Sequence, residues 1–224
     1  MQAEDHLPRR EWSLTALVVL ETVTLFVVIP LAAETNFPFP VSFAFLAAIV
    51  AVVLVVVRHS RTALAAICAA TFAEILATAY RIARPSHGTE VLDFAAALVF
   101  LVAINVVLGI TLFGPGRVTV HRILGAIAIY FNVAFGFALA DRLVSVLIPG
   151  AFTGAAFATH HSIATYFYFS FSTLTTNGYG DIVPIDPIAR SLSNLEAVIG
   201  QLFPATVLAR LITLELESRR NSGT

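Results

Sequence analysis

The sequence predicts an all-α membrane protein of six transmembrane helices, with one short segment that enters the membrane and turns back. Three observations carry that prediction. Of 224 residues, 58% are apolar and 12% charged, where a soluble domain holds roughly 45–50% apolar and about 25% charged residues; the mean hydropathy is +0.88. The apolar residues gather into runs long enough to cross a bilayer, separated by short links of Arg, Pro, Gly and His. Before the last run lies a hydroxyl-rich stretch, broken by glycines, that is too short to cross.

This composition excludes a soluble enzyme, a disordered tail and a disulfide-stapled secreted module. A net charge of −1 gives no basic surface for nucleic acid, and none is expected as a partner. All 13 basic residues are Arg. Cys68 is the single cysteine, so no intrachain disulfide can form; lying in an apolar run, it is expected to be a buried, inert thiol.

The spans fall at about 13–33, 40–57, 62–80, 91–113, 121–148 and 188–214, each near the length of about 20 residues that a bilayer asks of a helix. The first follows Arg9-Arg10 like a signal peptide, but it is too long for one and holds Glu21, so it is read as a retained helix. The organisation expected is an N-terminal segment (1–12), a four-helix region (13–115), a second membrane region (116–214) and a short tail (215–224). With the N-terminus inside, Arg9, Arg10, Arg58, Arg61, Arg117, Arg122, Arg210, Arg219 and Arg220 are cytoplasmic, and Arg81, Arg84, Arg142 and Arg190 are not. The excess places both termini in the cytoplasm.

Ionisable and polar groups within spans are expensive and need partners. Glu21, Glu74, Asp93, Asn105 and Asp141 are therefore expected to pair between helices. The fourth run holds no Arg or Lys, so it cannot sense voltage by moving charge through the field. None of the six histidines sits mid-span, and no nucleophile–base pair or metal cluster suggests an enzyme.

His160 to Thr176 is aromatic and hydroxyl-rich, and Asn177-Gly178-Tyr179-Gly180-Asp181 follows directly. The helical part, about 162–174, is too short for a membrane about 30 Å thick. Its glycine-broken tail cannot face lipid with unpaired backbone groups, so the segment must dip in and return. Glycines alternating with larger residues allow left- and right-handed conformations to alternate. That alternation turns successive carbonyls to one side, a ladder of oxygens able to replace the water shell of a hard monovalent cation. One chain supplies one ladder and no second Gly-Tyr-Gly occurs, so a homotetramer around an axis is expected.

Ser172-Thr173-Leu174-Thr175-Thr176-Asn177-Gly178-Tyr179-Gly180-Asp181-Ile182-Val183-Pro184 resembles the signature of tetrameric potassium channels, whose filter core is Thr-Val-Gly-Tyr-Gly. The resemblance covers about 121–214 and implies an outer helix, a pore helix, a selectivity filter and an inner helix, in a pore like that of voltage-gated channels. It implies K⁺ bound by the backbone carbonyls of Thr176, Asn177, Gly178 and Tyr179 and the Thr176 hydroxyl, with Gly180 completing the filter. The negative end of the pore-helix dipole would face the central cavity.

This chain departs from the family at Asn177, which replaces an aliphatic residue and whose amide needs partners behind the ladder; Ser172 and Glu196 are the candidates. The family's paired pore-helix tryptophans fall on Tyr168, able to donate towards Asp181, and Phe169, which cannot donate to Tyr179. Ser172 stands where some members carry a bracing glutamate. Gly200 lies 20 residues after Gly180, at the family's hinge spacing, although close helix packing accounts for it equally. Pro204 one turn later removes a backbone hydrogen bond. Gln201, Ala205 and Leu208 are the expected cavity-facing positions.

The resemblance implies a plasma-membrane channel that passes K⁺, or monovalent cations more broadly, with no cofactor besides the permeant ion and the lipid bilayer as its surroundings. Asn177 and Phe169 leave two alternatives, a weakly selective K⁺/Na⁺ channel and a non-conducting homologue serving as a sensor or assembly subunit.

Overall fold

A computed structural model describes residues 15–16, 18–29, 31, 47, 50, 61–112, 120–154 and 162–222. The expected second span lies outside these but for two isolated positions, as do His160 and His161. The protein is an all-α membrane protein. Among the described residues four helices are long and apolar enough to cross a membrane. The elements are α1 (Val18–Val28), α2 (Arg61–Ala83), α3 (His87–Leu112), α4 (Val120–Leu147), β1 (Phe152–Gly154), α5 (Ile163–Leu174), β2 (Ile182–Pro184) and α6 (Pro187–Ser222).

Local chemistry sets the boundaries. Helix α2 stops at Ala83 because Pro85 disfavours helix at the residue before it. Ser86 and Thr89 then cap α3 reciprocally: the Ser86 hydroxyl accepts from the Thr89 amide at 3.2 Å, and the Thr89 hydroxyl accepts from the Ser86 amide at 2.9 Å. Asp186 and Pro187 open α6, Asp186 Oδ1 accepting from the Ile188 amide at 2.8 Å while Pro187 fills the first helical position, where a missing N–H costs nothing. Helix α1 widens into a π-turn at Thr24–Val28, with the Ile29 amide donating to the Thr24 carbonyl.

The chain divides into two compact units. One comprises 1–66, 104–131 and 205–224; within it Val18 packs with Ala128 and Leu124, and Phe26 meets Phe131 edge-on at 5.8 Å. The other comprises 67–103 and 132–204. In this unit Asp93 of α3 accepts from the Thr78 hydroxyl of α2 at 2.6 Å and pairs with Arg81 at 2.9 Å, the interhelical pairing expected of an intramembrane carboxylate.

Phe72, Val99 and Ile110 turn outward, each about 70% exposed, which suits helices solvated by lipid rather than water. Cys68 is exposed, a correction to the buried thiol expected. Its neighbour Ile67 is fully buried, and adjacent residues on a helix lie about 100° apart, so the inward turn of Ile67 carries Cys68 to the outside.

Candidate functional site

The re-entrant helix α5 forms where the hydroxyl-rich stretch predicts it, and Ser162 caps it by accepting from the Thr165 amide. Its twelve residues span about 18 Å, well short of a bilayer. Tyr166, Ser170 and Leu174 recur every fourth residue and form one buried stripe. Opposite it on α4 lie Ala134, Ala138 and Asp141, all fully buried, the alanines small enough for close approach. The two stripes are tied by hydroxyls. Tyr166 donates to Ser145 Oγ at 2.6 Å, and Ser170 Oγ lies 2.6 Å from the Ala134 carbonyl.

Helix α6 flanks α5 in three steps. Ser170 Oγ meets Glu196 Oε1 at 2.5 Å. One turn on, Gly200 lies against the Leu174 carbonyl so closely that a Cβ there would sit 1.9 Å from the oxygen. At the end of α5 the Gln201 side-chain amide donates to the Thr176 hydroxyl at 3.2 Å. Gly200 is thus a packing glycine in this structure. Pro204 lies within the continuous α6 helix and lacks the N–H that would bond the Gly200 carbonyl, so both residues weaken one turn.

Past α5 the backbone alternates as the glycine spacing predicts. Gly178 has φ +53° and Gly180 φ +77°, while Asn177 and Tyr179 keep negative φ. Thr176 has φ +60°, the one positive value at a non-glycine among the described residues. A β-branched side chain there stores strain of about 1–3 kcal/mol, and such strain gathers at ligand clamps. The Thr176 amide donates to the Thr173 carbonyl at 3.0 Å and the Gly178 amide to the Ser172 carbonyl at 3.2 Å, folding the segment back on its helix. Residues 176–180 are all exposed in the single chain.

The predicted supporting residues divide. The Tyr168 ring stacks on Tyr179 at 5.8 Å and 8°, with Asp181 acting on its phenol. Phe169 turns away from Tyr179 and packs edge-on against Phe152 of β1 at 5.5 Å. Of the two residues expected to partner Asn177, Glu196 meets Ser170, because it lies one turn before Gly200 and level with Ser170, while the Ser172 backbone carbonyl accepts from the Gly178 amide. Asn177 is exposed.

Two features have no counterpart in the sequence reading. The strand after the ladder, β2, pairs antiparallel with β1, Phe152 opposite Pro184 and Gly154 opposite Ile182, and the Ile185 amide donates to the Ala151 carbonyl at 2.8 Å. This ribbon fixes the exit of the ladder. Secondly, Arg142 of α4 pairs with Glu90 of α3 at 2.7 Å, and its guanidinium lies 5.6 Å from the Phe94 ring and 5.5 Å from the Tyr166 ring. One side chain thereby joins α3, α4 and α5.

Arg142→Ala is expected to remove a charge-assisted hydrogen bond and two cation–π contacts, about 1–3 kcal/mol after discounting for partial exposure. Lysine keeps the charge but not the planar fork. Thermal midpoints of the purified protein should therefore rank wild type above Arg142→Lys above Arg142→Ala; equal midpoints would show the contacts to be idle.

Residues 118–216, which hold α5, the ladder and most of α6, match a family model described as "Ion channel". The chain is 38% identical over 88 residues to the two pore potassium channel c of Oryza sativa subsp. japonica, a stretch covering 38% of this chain and 19% of that protein. It is 43% identical over 54 residues to the inward rectifier potassium channel Kirbac3.1 of Paramagnetospirillum magnetotacticum, covering 24% and 15%. The matched stretches thus span less than a fifth of either relative. No solved structure matches.

Proposed function

We propose that this chain, whose residues 118–216 match the ion-channel family model, forms a homotetrameric channel of the potassium type in the plasma membrane, both termini cytoplasmic, that passes K⁺ through a filter built from residues 176–180. In this reading residues 116–214 are the pore domain, 13–115 the accompanying membrane helices, and 1–12 and 215–224 cytoplasmic segments. The observation that carries it is the alternation of positive φ at Thr176, Gly178 and Gly180 with negative φ between, on an exposed segment held by the end of a buried helix. In that conformation the carbonyls of Thr176, Asn177, Gly178 and Tyr179 offer a dehydrated K⁺ uncharged oxygens.

The remaining groups have supporting parts. Gln201 holds the Thr176 hydroxyl that closes the inner end. Tyr168 and Asp181 brace the outer end, while Phe169 and the β-ribbon anchor it. Ser172 anchors Gly178, and Gly200 with Pro204 supplies the weak turn at which α6 bends to gate. The first four helices carry no moving charge in the fourth span, so opening depends on the pore elements themselves.

Asn177 favours a second reading, a filter less selective for K⁺ over Na⁺ or one that no longer conducts. Asn177→Val in reconstituted vesicles separates these cases. A rise in the K⁺/Na⁺ permeability ratio above wild type is expected from a working filter loosened by a polar residue. Absence of flux from wild type and variant alike would identify a non-conducting homologue.

A further inference from the structure

Ser170 Oγ has one proton and two short contacts, 2.6 Å to the Ala134 carbonyl and 2.5 Å to Glu196 Oε1. A proton divided between two acceptors gives two long, bent bonds rather than two short ones. The Ala134 carbonyl can only accept, so the Ser170 proton belongs to it. The contact with Glu196 is then a hydrogen bond only if Glu196 brings the other proton. An ionised carboxylate at that distance would face a lone pair of the hydroxyl oxygen, with repulsion in place of a bond.

The surroundings agree. Glu196 and Asp141 are both fully buried, and among the described residues Glu196 Oε2 and both oxygens of Asp141 have no hydrogen-bond donor. Helix α5 brings no Arg, Lys, His, Asp or Glu to the site. Arg142, next to Asp141 in sequence, turns away to Glu90 of α3. Two buried carboxylates with no cation beside them among the described residues are costly to ionise, and a proton is the smallest neutraliser available.

We propose that Glu196 is a buried proton-binding site behind the filter, and that, as a neutral acid donating to Ser170, it is a positioning residue that latches α6 to α5. Its functional half rests on the channel reading above; its protonation half does not. The latch lies one turn before the Gly200–Leu174 contact and so sets the level at which α5 delivers Thr176 to the filter. Loss of the proton at alkaline pH puts a charge against the Ser170 lone pair, and the latch opens.

The test combines infrared spectroscopy with flux from the full-length protein. The carbonyl stretch of a protonated carboxylic acid is expected in wild type at neutral pH, with one such band lost in Glu196→Gln. In reconstituted vesicles, Glu196→Ala is expected to lose K⁺ flux. Glu196→Gln, whose amide also donates to Ser170, is expected to restore it while abolishing the alkaline decline seen in wild type. Wild-type flux with no band, or a band unaltered in Glu196→Gln, overturns the proton site. The expected band without wild-type flux overturns the channel reading and the latch with it, and leaves the protonated acid established.

Discussion

Gly200→Ala is expected to unseat α6 from α5 and abolish conduction. The added Cβ would lie 1.9 Å from the Leu174 carbonyl oxygen and 2.7 Å from its carbon. These are backbone atoms at the end of a helix, with no flexible side chain to give way, so the two helices must separate. Overpacking of this kind costs about 1–3 kcal/mol, and in a tetramer it recurs in every copy. The displacement also strains the neighbouring Ser170–Glu196 and Thr176–Gln201 contacts, which join α6 to α5 and the residues just after it.

The measurement that decides is the thermal midpoint of the purified protein beside its flux. A glycine kept only as a hinge would leave the midpoint unchanged and alter opening alone. A glycine kept for packing lowers both. Pro204→Ala makes the complementary test, because it returns an N–H to the Gly200 carbonyl. It should stiffen the turn, leave the midpoint at or above wild type, and shift the open fraction; an unaltered open fraction would remove this turn from the gate.

Gly178→Ala is expected to abolish K⁺ selectivity while leaving the fold intact. Gly178 has φ +53°, and a Cβ added there would meet no atom within 4 Å outside its immediate neighbours, so the effect is conformational and not a clash. An L-residue held left-handed costs about 1–2 kcal/mol. Relief by rotation to negative φ would turn a carbonyl away from its neighbours and break the alternation with Thr176 and Gly180. The ladder would then lose one of its oxygens. Unchanged K⁺/Na⁺ discrimination in this variant would mean that the backbone of 176–180 is not the ion's ligand set.

How much of the molecule is legible in its sequence depends on the kind of signal. The re-entrant helix reads as about 162–174 and is Ile163–Leu174, because Ser162 is a cap and the glycines stop the helix. The third to sixth spans read from their apolar runs, though α6 continues beyond its apolar part to Ser222. Which face of a span is buried is not legible. Lipid and protein are both apolar, so the periodicity that marks a soluble helix fades, and the apolar run around Cys68 points inward for a residue that faces out. The β-ribbon rests on three residues a side, too short a pattern to detect. The Ser170 contacts and the Arg142 junction join residues up to 52 positions apart, which no local pattern encodes. Thr176 is a further case: nothing in a threonine announces a positive φ, and only the tertiary context imposes it.

The channel reading explains why so few charges suffice. In that reading uncharged carbonyls, and no ionised side chain, carry the ion. The most direct test is the reversal potential of the purified protein in a planar bilayer, with K⁺ on one side and Na⁺ on the other. A K⁺-selective filter at 176–180 predicts a reversal potential displaced towards the K⁺ equilibrium value in wild type, with that displacement lost in Gly178→Ala. A reversal potential at zero in wild type, or no current at all, would contradict it.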